Sequence, residues 1–595
     1  MGVKSMSLQR ADYRITMGQS AYHHTVLEAS RLGPKTVTGG QLIGQALQSE
    51  GVSTIFTLAG DHILPAIDVM ADMNFRFIDT RHEAAAAHMA DAWGKITGQP
   101  GVAMYTTPGF ANAIPGLTAA MYSETPLISI SGSAPLHELG RGAMQEIEQV
   151  AMAKPTTKDA WLVTDARRIP HMIAQALRVA YSNRRGPVHL TIPIDIQEQE
   201  VQQDEIRIFP SGQYRISSMA PASESQIRDA IGVLQGSKRP VVIAGSAAAY
   251  TGSGEAITRF IETTKFPIMT EATARGIVSD EHEYSYGFYD NGLNPAAKML
   301  RDADVIVLLG MRQDIIMGYA LPPTVSTKSK IVQIDPSSAE IGRNRGVDVG
   351  IVGNVEAVVD QLALEAGKHS WTEPTDWLAE LKSVRDDFRE ELESKATGQL
   401  PIHAIEVHRV LKSLLHKDDF ITFDGGDFCH LGRAYLPALS PRSWHYFSGV
   451  GMLGTAIPTA MAAKLAYPDR RSVVICGDGA FGFNAMEYDT AVRHAINITT
   501  VLGNDAAWGI DRQIQLQVYG KAVAVDLLPQ RYDQLVSALG AYGQHVSAPD
   551  ELPGALERAL NADRPSLVNI DVERAISPRA QTAINRWKSQ TYQPF

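Results

Sequence analysis

The amino-acid sequence predicts an α/β protein of three doubly wound parallel-sheet domains with a C-terminal tail. Three observations carry this prediction. Short apolar runs alternate with helical patterns along most of the chain, the signature of βα units around a parallel sheet. A Pro-, Ser- and Gly-rich stretch, "PSGQYRISSMAPAS", and a charged one, "ELKSVRDDFREELESKATGQ", divide that alternation into three blocks. At 595 residues and 44% hydrophobic, the chain is long enough to bury several cores.

Residues 1–36, "MGVKSMSLQRADYRITMGQSAYHH" and beyond, lack the apolar core of a signal peptide and are expected to form a mobile tail. The first block, 37–208, holds the strand-like runs "STIFTLAG", "FRFIDT", "GVAMYTT", "PLISISG" and "GPVHLTIP". The second, 222–366, opens with "RPVVIAGSAAAY" and continues through "FPIMTEA", "ADVIVLLG" and "KIVQIDPSS". A mostly polar helix leads to the third, 398–573, with "DDFITFDGG", "RSVVICGDG", "INITTVLGND" and "PSLVNIDV". Residues 574–595 form the tail.

A formal net charge of −11 and a pI near 5.9 leave no general basic field, so nucleic acid is excluded as an expected partner. No run of about 18 apolar residues is present, so no membrane span is expected. The two cysteines, Cys429 and Cys476, lie in or beside apolar runs and form no disulfide framework; a cytoplasmic location is expected.

The chemistry concentrates in the third block. Asp478 ends the run "SVVICG" and Asp505, 27 residues later, ends "ITTVLGN". Ligands of doubly wound sheets sit outside the carboxyl ends of strands, so both carboxylates would face one crevice. Two hard oxygen ligands, with Gly477 and Gly479 allowing close backbone approach, suit Mg²⁺ carrying phosphate oxygens. The alternative is that Asp478 caps the following helix.

"GDG" followed by "ND" at this spacing resembles the thiamine diphosphate signature. The segment "DTRHEAAAAHMADAWGKITGQPGVAMYTTPGFANAIPGL" resembles the pyrimidine-binding half of the same enzyme family. The likeness runs from Val37 to Arg574 with the blocks in the family's order: pyrimidine-binding, middle, diphosphate-binding. It implies Glu83 as the carboxyl that bonds the pyrimidine ring and promotes loss of the thiazolium proton, helped by the apolar "EAAAA" around it. It also implies Asp478, Asp505 and the Ala507 carbonyl as Mg²⁺ ligands, with two diphosphate oxygens and a water. Where relatives show Asn-Asn, this chain has Asn504 and Asp505, which adds a negative charge at the metal. Gly479, Ala480 and Asn112 are placed on the cofactor. "FSGVGMLGTAIPTAMAA" resembles the segment beneath the bent cofactor, with Leu453 as its wedge and the Gly451 carbonyl receiving the amine. The pyrimidine and diphosphate ends lie on different subunits in this family, so a homodimer or homotetramer is implied.

The reaction is narrowed by further residues. "FTLAGDHILPAID" puts Asp61 and His62 on the substrate side, and "HELGRGAMQEIEQV" puts Gln145 nearby; His62 is a candidate to move protons. Asp511 is a candidate proton donor, with Glu487 ranked below it. The tail "VERAISPRAQTAINRWKSQTYQPF" resembles that of the coenzyme A-dependent lyases, and Arg574, Arg579, Arg586 and Lys588 are expected to meet coenzyme A phosphates while Trp587 covers the pocket. The expected function is therefore a 2-hydroxyacyl-CoA lyase. The alternatives are an acetolactate synthase or benzaldehyde lyase type of carboligase and, more remotely, a non-catalytic homologue. In the middle block, Gly245 and Asp335 suit a nucleotide, Asp335 accepting ribose hydroxyls at its strand end, with ADP favoured over FAD.

Overall fold

A computed structural model describes residues 36–215, 219–446 and 449–589, so the expected N-terminal tail falls almost wholly outside the described residues. Three six-stranded sheets, each entirely parallel, follow one another along the chain. Numbered within its own domain, the first sheet has strand order 2-1-3-4-6-5 and the third repeats it, whereas the middle sheet runs 3-2-1-4-5-6. The order matters because ligands collect where it reverses, outside the carboxyl ends of two adjacent strands whose connections leave in opposite directions.

In the first domain the reversal falls between Thr54–Leu58 and Gly101–Tyr105. In the middle domain it falls between Pro240–Ala244 and Val305–Leu309, and in the third between Phe420–Asp424 and Ser472–Gly477. Every one of these strands has an almost unbroken apolar interior, as parallel strands covered on both faces require. A short antiparallel pair, Thr36–Thr38 with Glu200–Gln202, closes the first domain.

One apolar core runs through the first and third domains together. The helix Glu83–Thr97 contributes Ala86, Ala87 and Ala90, and the helix Ala456–Ala466 contributes Ala460, Met461 and Ala463. The alanine run "EAAAA", read from sequence as an apolar setting for one carboxyl, is thus also the close-approach face of an interdomain helix pair. Small side chains there let the two backbones approach. The charged bridge forms the 19-residue helix Thr375–Glu393, and its buried stripe of Trp377, Leu381 and Leu392 fastens it down; the Trp377 indole donates to the Pro240 carbonyl at 2.9 Å.

The first and middle domains are joined by a buried charge cluster. The Arg184 guanidinium donates to Glu124 at 2.6 and 2.9 Å, to Ser246 at 3.0 Å and to the Gly310 carbonyl at 3.1 Å, and it pairs with Asp335. Asp335 is wholly buried: Oδ1 also accepts from Ser337 at 2.9 Å, and Oδ2 faces Arg184. This corrects the expectation that Asp335 receives ribose hydroxyls, because at the strand end it is the inner partner of an arginine from another domain. Removing one member of a buried pair leaves an uncompensated charge, so Arg184→Met is expected to cost about 3–5 kcal/mol. A lower denaturant midpoint for the transition that includes the middle domain would register this; an unmoved midpoint would show that the cluster does not hold the domains together.

Candidate active site

The third domain's strand ends enclose a cavity of about 300 Å³. Its walls include Asp478, Gly479, Ala480, Asp505, Ala507 and Asp511, all singled out in the sequence, and Leu453. Asp478 opens the helix Asp478–Asn484, yet the cap position is Gly477 and no side-chain capping bond forms, so helix capping does not account for it. Asp478 is 1% exposed, and its Oδ2 has no hydrogen-bond partner among the described residues. Burial, then the facing Asp505 carboxylate, pushes Asp478 up to about 7; Asp505 is raised by burial. Two opposed carboxylates in a dry crevice bind a proton or a cation between them.

Asn504 points the other way. Its amide donates to the Gln530 carbonyl at 3.0 Å and to Asn569 at 3.2 Å, so it belongs to the polar core beneath the loop. The turn at Asp505 continues through Ala506 at φ 52°. The Arg574 guanidinium holds that turn, donating to the Asp505 carbonyl at 2.8 Å and the Ala506 carbonyl at 3.0 Å.

Sequence reasoning missed much of the opposite wall: Gly425, Gly426, Asp427, His430 and Trp508. The signal was present, since "ITFDGG" ends an apolar run in Gly residues just as "VVICGDG" does. Gly425 needs its glycine twice over, at φ 91° and with the Ala480 Cβ 2.9 Å from where its own Cβ would stand. Asp424 beneath it accepts from the Ala456 N–H at 3.0 Å; burial pushes it up to about 7 against those backbone bonds. Asp427 is buried, with one oxygen accepting from the Ser577 N–H at 2.9 Å and the other unpartnered among the described residues.

The tail is packed, not detached. Its helix Pro578–Lys588 buries Ala580 and Ile584. The structure engages its predicted phosphate-binding cations elsewhere: Arg574 holds carbonyls, Arg579 pairs with Asp290 at 2.8 Å, and Lys588 donates to Gln517 at 3.1 Å. Trp587 is 53% exposed, and Arg586 does not line this cavity.

The first domain carries the second group of residues. Glu83 begins the helix Glu83–Thr97 and is 7% exposed. Asn112 donates to its Oε2 at 3.0 Å, and Gly109 lies so close that a Cβ there would meet Oε1 at 2.7 Å. Just before it, the Arg81 N–H donates to both oxygens of Glu487, at 3.0 and 3.2 Å, and Thr490 donates to Glu487 at 2.7 Å. Burial pushes Glu487 up to about 6. Glu487 therefore touches the Glu83 loop from the third domain and does not line the cavity.

His62 lies at the first domain's reversal point, buried, with Nδ1 3.0 Å from the Thr107 hydroxyl; burial holds it below the ordinary histidine range. Asp61 beside it is exposed. Gln145 is not brought to them: it is exposed, at φ 60°. Gln149 takes that place, donating to Thr107 at 3.2 Å and to the Gly132 carbonyl at 3.0 Å. Gly451, at φ 65°, lines a neighbouring cavity beside Tyr446 and Arg433.

Three parallel-sheet domains, with opposed carboxylates at one reversal point and a buried carboxyl at a strand end of another domain, define a cofactor-dependent α/β enzyme. The sequence profiles of the thiamine pyrophosphate enzymes match all three domains: the N-terminal TPP binding domain over residues 37–152, the central domain over 227–362 and the C-terminal TPP binding domain over 424–570. An acetolactate synthase large subunit of Mycobacterium tuberculosis is 32% identical over 550 residues, covering 91% of this chain and 97% of that protein. Human 2-hydroxyacyl-CoA lyase 1 is 31% identical over 572 residues, covering 92% and 96%, and 2-hydroxyacyl-CoA lyase 2 of Caenorhabditis elegans is 29% identical over 602, covering 93% and 92%. The chain belongs to the thiamine diphosphate-dependent enzymes. Within them it is of the carbon–carbon lyase and carboligase kind.

Proposed function

We propose that the protein is a 2-hydroxyacyl-CoA lyase, cleaving its substrate to formyl-CoA and a ketone or aldehyde and able to run backwards as a carboligase. One observation carries this choice. The cavity at Asp478 does not end at Leu453: Tyr446 and Arg579 are shared with a second cavity of about 100 Å³ lined by Tyr289, Arg433 and Gly451. A compartment prolonged in this way suits a long thioester better than a small free 2-oxoacid. The test is to supply a 2-hydroxyacyl-CoA and look for formyl-CoA. Turnover of pyruvate or benzoin with the thioester inert would favour the acetolactate synthase or benzaldehyde lyase reading, and no carbonyl exchange with cofactor and Mg²⁺ would favour a non-catalytic homologue.

The cofactor supplies the nucleophilic carbon and stores the electron pair of the broken bond. What the chain's residues do is separable from that. Asp478 and Asp505 fit a Mg²⁺ ion, because one oxygen of Asp478 is buried without a partner. Among the described residues no group of three or more His, Cys, Asp or Glu side chains is arranged for a metal, so the Ala507 carbonyl and the cofactor's phosphate would have to supply further ligands to an ion held there. Gly479 and Ala480 open the wall to the diphosphate, and Leu453 and Gly451 support and receive the pyrimidine end. Glu83, oriented by Asn112, would hold a proton shared with the pyrimidine ring. His62 and Asp511 are the candidates to move protons on the substrate, and Asp61 lines its approach, with Gln149 in the place expected for Gln145. Glu83, Asn112 and His62 do not line the Asp478 cavity of their own chain, which supports a homodimer or homotetramer whose sites each draw on two chains. Both thiols are free and buried, which fits the cytoplasm.

For the middle domain we favour ADP over FAD. A cavity of about 330 Å³ beside its reversal point is lined by Ser246, Arg312, Arg343 and Asn344, near the lower end of ligand pockets at about 300–1,000 Å³. Arginines, not Asp335, would recognise it. A yellow purified protein would reverse this choice.

Glu487 acts on catalysis through Glu83. Glu487→Ala, which removes both acceptors for Arg81, is expected to lower kcat about 10- to 100-fold through misplacement of Glu83. Cofactor affinity and the substrate KM should stay within a factor of about 3, and Glu487→Gln, which keeps one acceptor, should recover part of the rate. Equal loss of KM and kcat in both variants would mark a merely structural contact.

A further inference from the structure

A further cavity, of about 120 Å³, lies where the middle domain, the helix Thr375–Glu393 and the helix Asp427–Tyr435 meet. Its walls carry five cationic side chains, Arg275, Arg385, Arg389, Lys412 and Arg433, and two acidic ones, Asp280 and Glu393. The acids are already used. Asp280 forms a two-pronged pair with Arg275, at 3.0 Å on one side and 2.5 Å on the other, and Glu393 accepts from the Tyr435 hydroxyl. Arg385 is held by Asp386 at 2.9 Å.

What remains is an excess of cationic over acidic lining side chains, five against two, with unfilled hydrogen-bonding capacity. On the floor, Arg433 is 2% exposed. It spends one nitrogen on Asp290 at 3.2 Å, and its Nε and Nη1 have no partner among the described residues; nor does Nε of Arg275, which is 3% exposed. Their carbon planes stack on aromatic rings: Arg433 lies 3.4 Å from the Tyr446 ring centre and Arg275 5.1 Å from that of Trp444, so neither guanidinium can swing to water. At the rim, Arg389 and Lys412 are exposed and have no acidic partner among the described residues. Buried guanidinium groups with empty N–H positions, beneath Arg389 and a Lys412 held over the Tyr435 ring at 4.9 Å, form a receptor for a multiply charged oxyanion, because such a guest satisfies the orphan donors and the mutual repulsion together.

We propose that this pocket is a binding site for a phosphate-bearing anion, separate from the diphosphate crevice and from the middle-domain cavity. Arg433 also lines the cavity that adjoins the Asp478 site through Tyr446 and Arg579. The phosphate can therefore belong to the far end of a long thioester substrate or to a free nucleotide effector. The site stands on its own geometry and does not depend on which reaction the enzyme performs.

The test uses full-length enzyme loaded with thiamine diphosphate and Mg²⁺, and a double variant, Arg389→Gln with Lys412→Gln, whose exposed positions leave the buried floor and the fold intact. Adenosine 3′,5′-bisphosphate is the probe, titrated by calorimetry at two salt concentrations. The expected result is a dissociation constant raised at least about tenfold in the double variant, with a weaker salt dependence. Equal affinities in wild type and variant would overturn the site.

Kinetics then separate the two sources. A substrate-borne phosphate raises KM for the acyl-CoA at least about tenfold with kcat within a factor of about 3. A free effector leaves KM unchanged, while added bisphosphate alters the rate of the wild type alone. A protein that binds the probe and loses it in the variant, yet turns over no acyl-CoA, keeps this site and refutes the lyase reading. An active acyl-CoA lyase indifferent to the two substitutions, in binding and in KM, does the reverse.

Discussion

Glu83→Gln is expected to lower kcat by about 10²–10⁴-fold, the range for losing a positioned proton-sharing group, while cofactor affinity changes by less than about tenfold. The physical basis is its enclosure. The carboxyl is 7% exposed, its Oε2 is fixed by the Asn112 amide at 3.0 Å, and Gly109 leaves no room for it to turn aside. The glutamine keeps the shape and an acceptor oxygen but has no proton to share. Single-turnover kinetics with saturating cofactor would read the loss directly. A kcat within tenfold of wild type would remove Glu83 from the catalytic role and, with it, the assignment of the first domain as the pyrimidine side.

Asp478→Ala is expected to act on binding instead. The apo protein should become more stable by about 1–3 kcal/mol, because a buried carboxylate facing a like charge is removed. Mg²⁺-dependent thiamine diphosphate binding should weaken by about 100-fold or more, because the remaining carboxylate cannot hold the ion alone. Stability and affinity thus move in opposite directions, which no general damage to the fold reproduces. Calorimetric titration of cofactor with and without Mg²⁺, alongside denaturant unfolding, measures both. A destabilised apo protein with unchanged cofactor affinity would show that the pair at Asp478 and Asp505 is structural. The two variants also test the composite site. Each alone is inactive, but a mixture allowed to exchange subunits should regain about one quarter of wild-type activity, since half the dimers then carry one site built from two intact halves. No recovery would place both halves of each site on one chain.

The sequence was readable wherever function and burial coincide at the end of an apolar strand. Asp478, Asp505 and Glu83 each follow an apolar run or begin a helix beside glycine or alanine, and each is found at a sheet's carboxyl end. Within the three six-stranded sheets, the strands it did not reveal were Asp159–Leu162, Ser285–Phe288, Val349–Val352, Trp444–His445 and Tyr542–Val546. All five lie at sheet edges. An edge strand pairs on one side only and is partly solvated, so "YGQHV" and "VGIV" need not be as apolar as the central "VIVLL", and the apolar run that marks a central strand is missing.

By itself, then, the sequence determined the class of fold, the succession of three βα blocks and the local chemistry of each strand end, because these follow from periodicity and from which side chains a turn can carry. Only the tertiary structure decided which charges are already spent. Asp335 and Arg574 read as free ligand-binding groups until the fold sets one against Arg184 and the other against the carbonyls of Asp505 and Ala506. It also decided that Gln149, not Gln145, reaches Thr107, and that Arg433, Arg389 and Lys412 converge from separate helices. The reason is range: backbone preference acts over a few residues, but the pairing of charges is settled between side chains far apart in the chain that only packing brings within a few ångströms.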